Sequence, residues 1–261
     1  MINGIKLYLF DMDGTLYLGN RLFPFTKKLL KRINDEGHRY MFMTNNSSKS
    51  VDAYIKKLAN LGIESNKSDF ITSSMATIHY IKENHANKKF YVCGTISLIE
   101  EFRQAGIIIT SEHSEAEGIV MGYDTELTYR KLEDVCKILL SREVPYIATN
   151  PDYVCPTEYG AVPDCGSVCD MIYNATGKRP HFVGKPSALM PLLAMEIAGA
   201  SPRETAVIGD RIYTDVKSGI NAGAVSVLVM SGETDDKILN ESNDKPDIVL
   251  KDAGELLLRD I

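Results

Sequence analysis

Short apolar runs alternate with amphipathic stretches along this chain, and several of the runs stop abruptly at polar residues. Residues 5–10 read as a buried strand. Pro24 then introduces an amphipathic helix over 25–36, stopped by Gly37. Residues 40–43 form a second apolar strand, ending in Thr44-Asn45-Asn46-Ser47-Ser48. A helix over 50–61 is closed by Gly62, and 69–72 is a short strand. Ser73 or Ser74 then caps a helix running through Lys82. The last third repeats the rhythm. Gly184-Lys185-Pro186 leads to a helix over 188–198, strand 205–209 ends at Asp210, and 215–222 is helical. Residues 225–230 and 247–250 are further strands. Such β-α alternation predicts an α/β fold with a doubly wound, Rossmann-like parallel sheet and helices on its faces.

The middle of the chain has its own set of elements. Strands are expected at 89–93, 118–121 and 145–149, and helices at 96–105, 128–141 and 167–176. The arrangement predicts a discontinuous core, 1–80 with 180–261, into which a second α/β domain, 81–179, is inserted.

Composition narrows the function. The 261 residues are 44% hydrophobic and 25% charged, ordinary for a globular protein. A net charge of -6 argues against broad electrostatic binding of nucleic acid or an anionic membrane. It also means that an anionic substrate needs a local positive site. No apolar run approaches the ~20 residues of a membrane span, and the N-terminus does not read as a signal peptide. The expectation is a cytoplasmic protein. Five cysteines, with no CxxC, read as free thiols in a reducing compartment. Cys155, Cys165 and Cys169 with His181 form a looser zinc alternative, lacking the tight paired spacing of zinc sites.

Four polar clusters sit at strand ends: Asp11 with Asp13, Thr44 with Asn45, Lys185, and Asp210 with Asp215. Alternation along a strand lets Asp11 and Asp13 face one site with Met12 turned away, and Gly14 lets the chain turn there. Two carboxylates about 4 Å apart repel by roughly 4 kcal/mol at an effective dielectric near 20. A hard cation such as Mg2+ is the natural compensation. In a doubly wound sheet ligands bind beyond the carboxyl ends of the strands, where all four clusters can meet. The inventory suits a phosphate beside Mg2+. One carboxylate can attack phosphorus once Mg2+ and Lys185 neutralise the charge. A second, two residues on, can protonate the leaving oxygen and later activate water. Thr44 and nearby N–H groups can bind phosphoryl oxygens, and Asp210 can complete a metal shell. Asp215 can orient Lys185 or a metal-bound water, and the helix start after 209–215 favours anions. Taken singly, each has a plainer reading: a solvated turn at Asp11 and Asp13, a capped polar loop at 44–47, a surface lysine, a helix cap at Asp215. Their order and shared placement favour chemistry.

These motifs, in this order, resemble the four motifs of the haloacid dehalogenase-like superfamily. The resemblance extends over nearly the whole chain. Segments 44–47, 72–77, 148–152 and 183–187 look like the branch of NagD and p-nitrophenyl phosphatase, in which an α/β cap is inserted between the second and third motifs. The resemblance implies that Asp11 is the nucleophile of an aspartyl-phosphate intermediate. It implies that Asp13 is the general acid and base and gives its main-chain carbonyl to Mg2+. It further implies that Asp11 and Asp210 are the other protein ligands of the metal. Thr44 and Lys185 match the phosphate-binding hydroxyl and ammonium, Asn45 assists, and Gly14 and Asp215 are supporting residues. Asp at position 13 favours phosphate hydrolysis over dehalogenation. In capped members a cap loop touches the leaving group. Residues 157–169 resemble that loop, with Tyr153, Glu158 and Tyr159 as candidate contacts. Asn150 and Asp152 either lie near the domain boundary or form a turn around Pro151.

The reading is therefore a Mg2+-dependent phosphatase for a small phosphorylated metabolite. A sugar phosphate, nucleoside monophosphate, phosphoglycolate and p-nitrophenyl phosphate are all in range. A homo-oligomer is compatible with the chain. A phosphotransferase or mutase would use the same motifs with a sugar hydroxyl replacing water, and a cap that excludes water permits it. A phospho-aspartate signalling module also clusters aspartates, a threonine, a lysine and Mg2+, but the paired aspartates after the first strand and the large insertion argue against it. Neither a Walker A motif nor GxGxxG is present.

Overall fold

The computed structural model of the chain describes residues 4–157 and 159–258. It divides into two compact units: Met1–Thr44 with Tyr54–Ile71 and Lys185–Ile261, and Asn45–Ala53 with Thr72–Gly184.

The first unit is built on a six-stranded sheet. In spatial order its strands are Ile248–Leu250, Val225–Val229, Thr205–Gly209, Leu7–Phe10, Arg39–Thr44 and Phe70–Thr72. The pairings from the first of these through to Arg39–Thr44 are all parallel. Leu7 to Phe10 are completely buried, as are Val207, Ile208 and Val227 to Val229. Continuous apolar strands of this kind are what a sheet covered on both faces requires. Strand order reverses around Leu7–Phe10, which lies between Thr205–Gly209 and Arg39–Thr44. Such a reversal opens a crevice beyond the carboxyl ends of the central strands.

The second unit holds a four-stranded parallel sheet in the order His181–Phe182, Tyr146–Ala148, Gly118–Met121 and Phe90–Cys93. The helices Ser73–Asn84, Ile96–Gln104, Tyr129–Ser141 and Cys165–Thr176 belong to it. Its core joins Ile119, Met121, Val135, Ile138, Cys169 and Ile172.

The expected insertion, 81–179, falls inside this unit, which also takes in 180–184, through the strand His181–Phe182, and the segments 45–53 and 72–80. Side-chain hydrogen bonds draw those segments in. Ser73 Oγ donates to Asn45 O at 2.6 Å, and Tyr123 N donates to Ser47 Oγ at 2.9 Å. Ser47 and Thr149 share a hydroxyl hydrogen bond of 2.9 Å, and Thr95 Oγ1 donates to Ser48 O at 3.2 Å. Hydrophobic periodicity carries no trace of such bonds.

Local differences have similar causes. The cap of Ser73–Asn84 is Thr72, whose hydroxyl accepts from Met75 N, rather than Ser73 or Ser74. A π-helical turn, Ile212–Val216, precedes the helix Lys217–Ala222, so the helix expected from 215 starts two residues later. The stretch 157–169, expected as a loop, contains the return strand of a hairpin, Val154–Thr157 with Gly160–Pro163, and the start of the helix Cys165–Thr176. Two further elements lacked a clear period: the small hairpin Tyr17–Leu18 with Arg21–Leu22, and the helix Asp236–Glu241.

Candidate active site

Three carboxylates converge at the carboxyl ends of the central strands. Asp11 follows Leu7–Phe10, Asp210 follows Thr205–Gly209, and Asp215 lies in the π-helical turn just beyond. One oxygen from each lies within 4.8 Å of the others, the only such acidic, His or Cys group of three among the described residues. Lys185 supplies the positive charge. Its Nζ donates to Asp11 Oδ1 and Asp215 Oδ1, each at 2.6 Å, and to Met43 O at 3.2 Å. The side chain is 3% exposed, so the surface-lysine alternative does not hold. Thr44 is buried at the end of the strand whose Met43 carbonyl Lys185 engages.

The neighbouring main chain is shaped to admit these groups. Gly14 has φ +83°, and a Cβ there would stand 2.5 Å from Asp210 Oδ2. Only glycine adopts that backbone at no cost. A Cβ on Gly232 would collide with the same carboxylate, and one on Gly209 would collide with Asp215. Glu233 N donates to Asp210 Oδ2 at 2.7 Å, and Arg211 N donates to Asp215 Oδ2 at 3.0 Å. Ser231 Oγ donates to Gly14 O at 2.6 Å. Arg211 pairs with Glu233 at 2.7 Å, and Tyr213 OH donates to the same carboxylate.

The electrostatics call for a further cation. Burial pushes the Asp210 carboxyl well above its usual range, and the charges of Asp11 and Asp215 add to the push. Burial raises Asp11 as well; Lys185 opposes this and Asp215 reinforces it. For Lys185, burial alone would lower the ammonium, but Asp11 and Asp215 together outweigh it and hold it above its ordinary value. One ammonium among three carboxylates leaves the cluster short of positive charge. Asp210 Oδ1 is buried with no hydrogen-bond partner. Hard oxygen donors and an orphaned carboxylate oxygen fit a divalent cation.

Asp13 departs from its expected orientation. Its carboxylate is not in the cluster; Oδ1 accepts from Gly19 N at 3.3 Å, and Oδ2 lies 3.8 Å from Lys57 Nζ. The strand ends at Phe10, so the alternation that would align positions 11 and 13 lapses before it applies. The third carboxylate is Asp215, whose Oδ1 meets Lys185 while its Oδ2 takes the N–H of Arg211, the residue before the π-helical turn. Asn45 lies in the second unit, where its Nδ2 donates to Asp152 Oδ2 at 3.0 Å. Asn150 Nδ2 joins that same oxygen at 3.1 Å and Asp164 Oδ1 at 3.1 Å. Asn150 and Asp152 are thus parts of a buried polar network. Tyr153 and Tyr159 are exposed, and Glu158 lies outside the described residues. Cys155, Cys165, Cys169 and His181 form no group of metal-ligating geometry among the described residues, and all five cysteines are free.

Ser231, Gly232, Glu233 and Arg211 were not singled out by sequence. The available signal was positional: residues 231–233 follow the apolar strand Val225–Val229, in a sheet whose other strand ends already carried the chemistry.

Comparison with known proteins places this geometry. The family description "Haloacid dehalogenase-like hydrolase" matches residues 8–108, and a second HAD-hydrolase-like description matches 182–256. An acid sugar phosphatase of Staphylococcus aureus is 31% identical over 252 residues, covering 97% of this chain and 96% of that one. The crystal structure of a 4-nitrophenylphosphatase from Thermotoga maritima superimposes with a TM-score of 0.94 at 37% identity, over 99% and 98% of the two chains. NagD from Escherichia coli K-12 gives 0.87 at 29% identity, over 96% and 98%. Among the described residues, no helix is long and apolar enough to cross a membrane.

Proposed function

The chain belongs to the haloacid dehalogenase-like hydrolases, in the branch of NagD and the 4-nitrophenylphosphatases, and from that premise we propose that it is a Mg2+-dependent phosphatase of small phosphomonoesters. The observation that carries the reading is the buried group of Asp11, Asp210 and Asp215 around Lys185. Names of relatives such as acid sugar phosphatase and 4-nitrophenylphosphatase make sugar phosphates and aryl phosphates the first substrates to try. Five free thiols suit a reducing compartment such as the cytoplasm.

In this reading Asp11, Asp210 and the main-chain carbonyl of Asp13 hold the metal, with Asp215 fixing Lys185. When bound, Mg2+ supplies positive charge that offsets the carboxylates and the phosphoryl oxygens. Lys185 holds Asp11 by Oδ1, and Oδ2 accepts no hydrogen bond among the described residues. An Asp11 oxygen forms a bond to phosphorus as the bond from phosphorus to the ester oxygen breaks. The departing oxygen takes its proton from the Asp13 carboxylic acid. Water then attacks the phosphorus of the aspartyl phosphate and gives a proton to the Asp13 carboxylate. The bond to Asp11 breaks, inorganic phosphate leaves, and both aspartates return to their starting forms. Thr44 and Lys185 stabilise charge on the phosphoryl oxygens.

The test is phosphate release from p-nitrophenyl phosphate and a panel of sugar phosphates, with Mg2+ and with EDTA, for wild type and Asp11→Asn. Release that requires Mg2+ and is lost in the variant is the expected result. Wild-type rates in Asp11→Asn would overturn the mechanism. Transfer to an added alcohol in place of water would move the reading to a phosphotransferase.

A further inference from the structure

Asp13 stands on a turn with more than half of its side chain exposed. An unrestrained carboxyl there would sample several rotamers, whereas proton delivery to a leaving oxygen needs one held geometry. The protein supplies a restraint from a distant part of the chain. Lys57, on the helix Val51–Asn60, places its Nζ 4.1 Å from the centroid of the Tyr17 ring and 3.8 Å from Asp13 Oδ2. Gly19 N holds the other oxygen, Oδ1, at 3.3 Å.

Tyr17 belongs to the same turn as Asp13. Its carbonyl accepts from Gly14 N at 2.7 Å, and its N–H donates to Met12 O at 3.3 Å. Its ring is buried. An ammonium over an aromatic face is held by the ring quadrupole, so Tyr17 fixes the lysine and the lysine meets the carboxylate. Tyr54, three residues before Lys57, is buried and packs against Phe70. Residues three apart on a helix share a face, so this face of the helix is turned toward the protein and Lys57 is carried with it.

We propose that Lys57 is a positioning residue for Asp13: clasped over Tyr17, its ammonium fixes the carboxyl in the orientation from which the proton reaches the leaving oxygen. This rests on the reading of Asp13 as the acid and base of the reaction.

Two esters of nearly the same shape provide the test. Nitrophenolate leaves with little help from an acid, and phenolate needs more. The ratio of kcat/KM on p-nitrophenyl phosphate to kcat/KM on phenyl phosphate therefore reports proton delivery in the first step. It is measured for wild type, Lys57→Met, Lys57→Arg and Asp13→Asn, with thermal melts to check folding. Lys57→Gln replaces Lys57→Met if the latter does not fold. General acid catalysis is worth about 10²–10⁴-fold, and misorientation forfeits part of it. The loss in Lys57→Met is thus expected to be about tenfold greater on phenyl phosphate, with recovery in Lys57→Arg. Equal losses on the two esters, or none, overturn the role of Lys57. If Asp13→Asn itself loses equally on both esters, it is the reading of Asp13 as the acid that fails.

Discussion

Replacing Lys185 by methionine shortens the side chain by one atom and deletes its charge. The ammonium is almost wholly buried and bonds to Asp11, Asp215 and the Met43 carbonyl. Without it Asp215, fully buried, keeps the Arg211 N–H on Oδ2 and loses its cation. Asp11 loses its cation as well. Breaking a buried pair by removing one partner costs about 3–5 kcal/mol, because the remaining charge is uncompensated. Two carboxylates are stranded at once, so the upper half of that range is expected for Lys185→Met. Urea unfolding followed by circular dichroism at neutral pH in EDTA reads this directly: the midpoint should fall with little change in slope. Adding Mg2+ should recover part of the loss, since a ligand that binds only the folded state stabilises it in proportion to RT ln(1 + [L]/Kd). A Lys185→Met protein as stable as wild type in EDTA would refute the account, because the lysine would then not be compensating buried charge.

Two further predictions follow from the same geometry. Gly14→Ala combines a disfavoured positive φ with a Cβ that meets Asp210 Oδ2 at 2.5 Å; it should destabilise by about 1–3 kcal/mol and weaken Mg2+ binding, read by calorimetric titration, while unchanged affinity would count against Asp210 as a ligand. Glu204, at the edge of the first unit, is held near 2 by the Lys6 ammonium first and by Ser201 second. A lowered folded-state pKa contributes stability that is present above the unfolded value and lost as pH falls through the folded one. The gap in stability between wild type and Glu204→Gln should therefore be full above about pH 4.5 and close by about pH 2; a gap that persists to the lowest pH would show that the charge is not its source.

The parallel sheet was legible because its strands are buried on both faces and read as unbroken apolar runs, Leu7–Phe10 and Thr205–Gly209 above all. Asp11, Lys185 and Asp210 were legible because each interrupts or follows such a run. What could not be read is where side chains turn once a strand has ended. Asp13 swings to Gly19 and Lys57, whereas Asp215, expected to orient Lys185, does so and takes the third place in the cluster. The turn at Asp13 and the π-helical turn at Asp215 are backbone that no periodicity encodes. Gly232 was invisible for a related reason. Its missing Cβ makes room for Asp210, a carboxylate 22 residues away in sequence, and only folding brings the two together. Asn45 stands beside Thr44 in sequence, yet its amide is engaged by Asp152, a contact that only folding creates.

Two groups of buried carboxylates among the described residues show why one reads as a site and the other as scaffold. In the second unit, Asp152 and Asp164 are bridged by the Asn150 amide. Asp152 also takes the Asn45 amide, and Asp164 takes the N–H of Cys165 at the start of its helix. Neutral donors stand between the charges there, and the bonds from Asn45 to Asp152 and from Asn150 to Asp164 join distant chain segments, which is the work of holding a fold. In the first unit three carboxylates face one another with a single ammonium among them, and the lack of a Cβ at Gly14 and Gly232 lets the Asp210 carboxylate pack against the main chain there. Like charges gathered in a buried place destabilise the protein that holds them. Such a cluster carries a cost that a divalent cation would offset, and this is why it, rather than the bridged pair, supports the proposed chemistry.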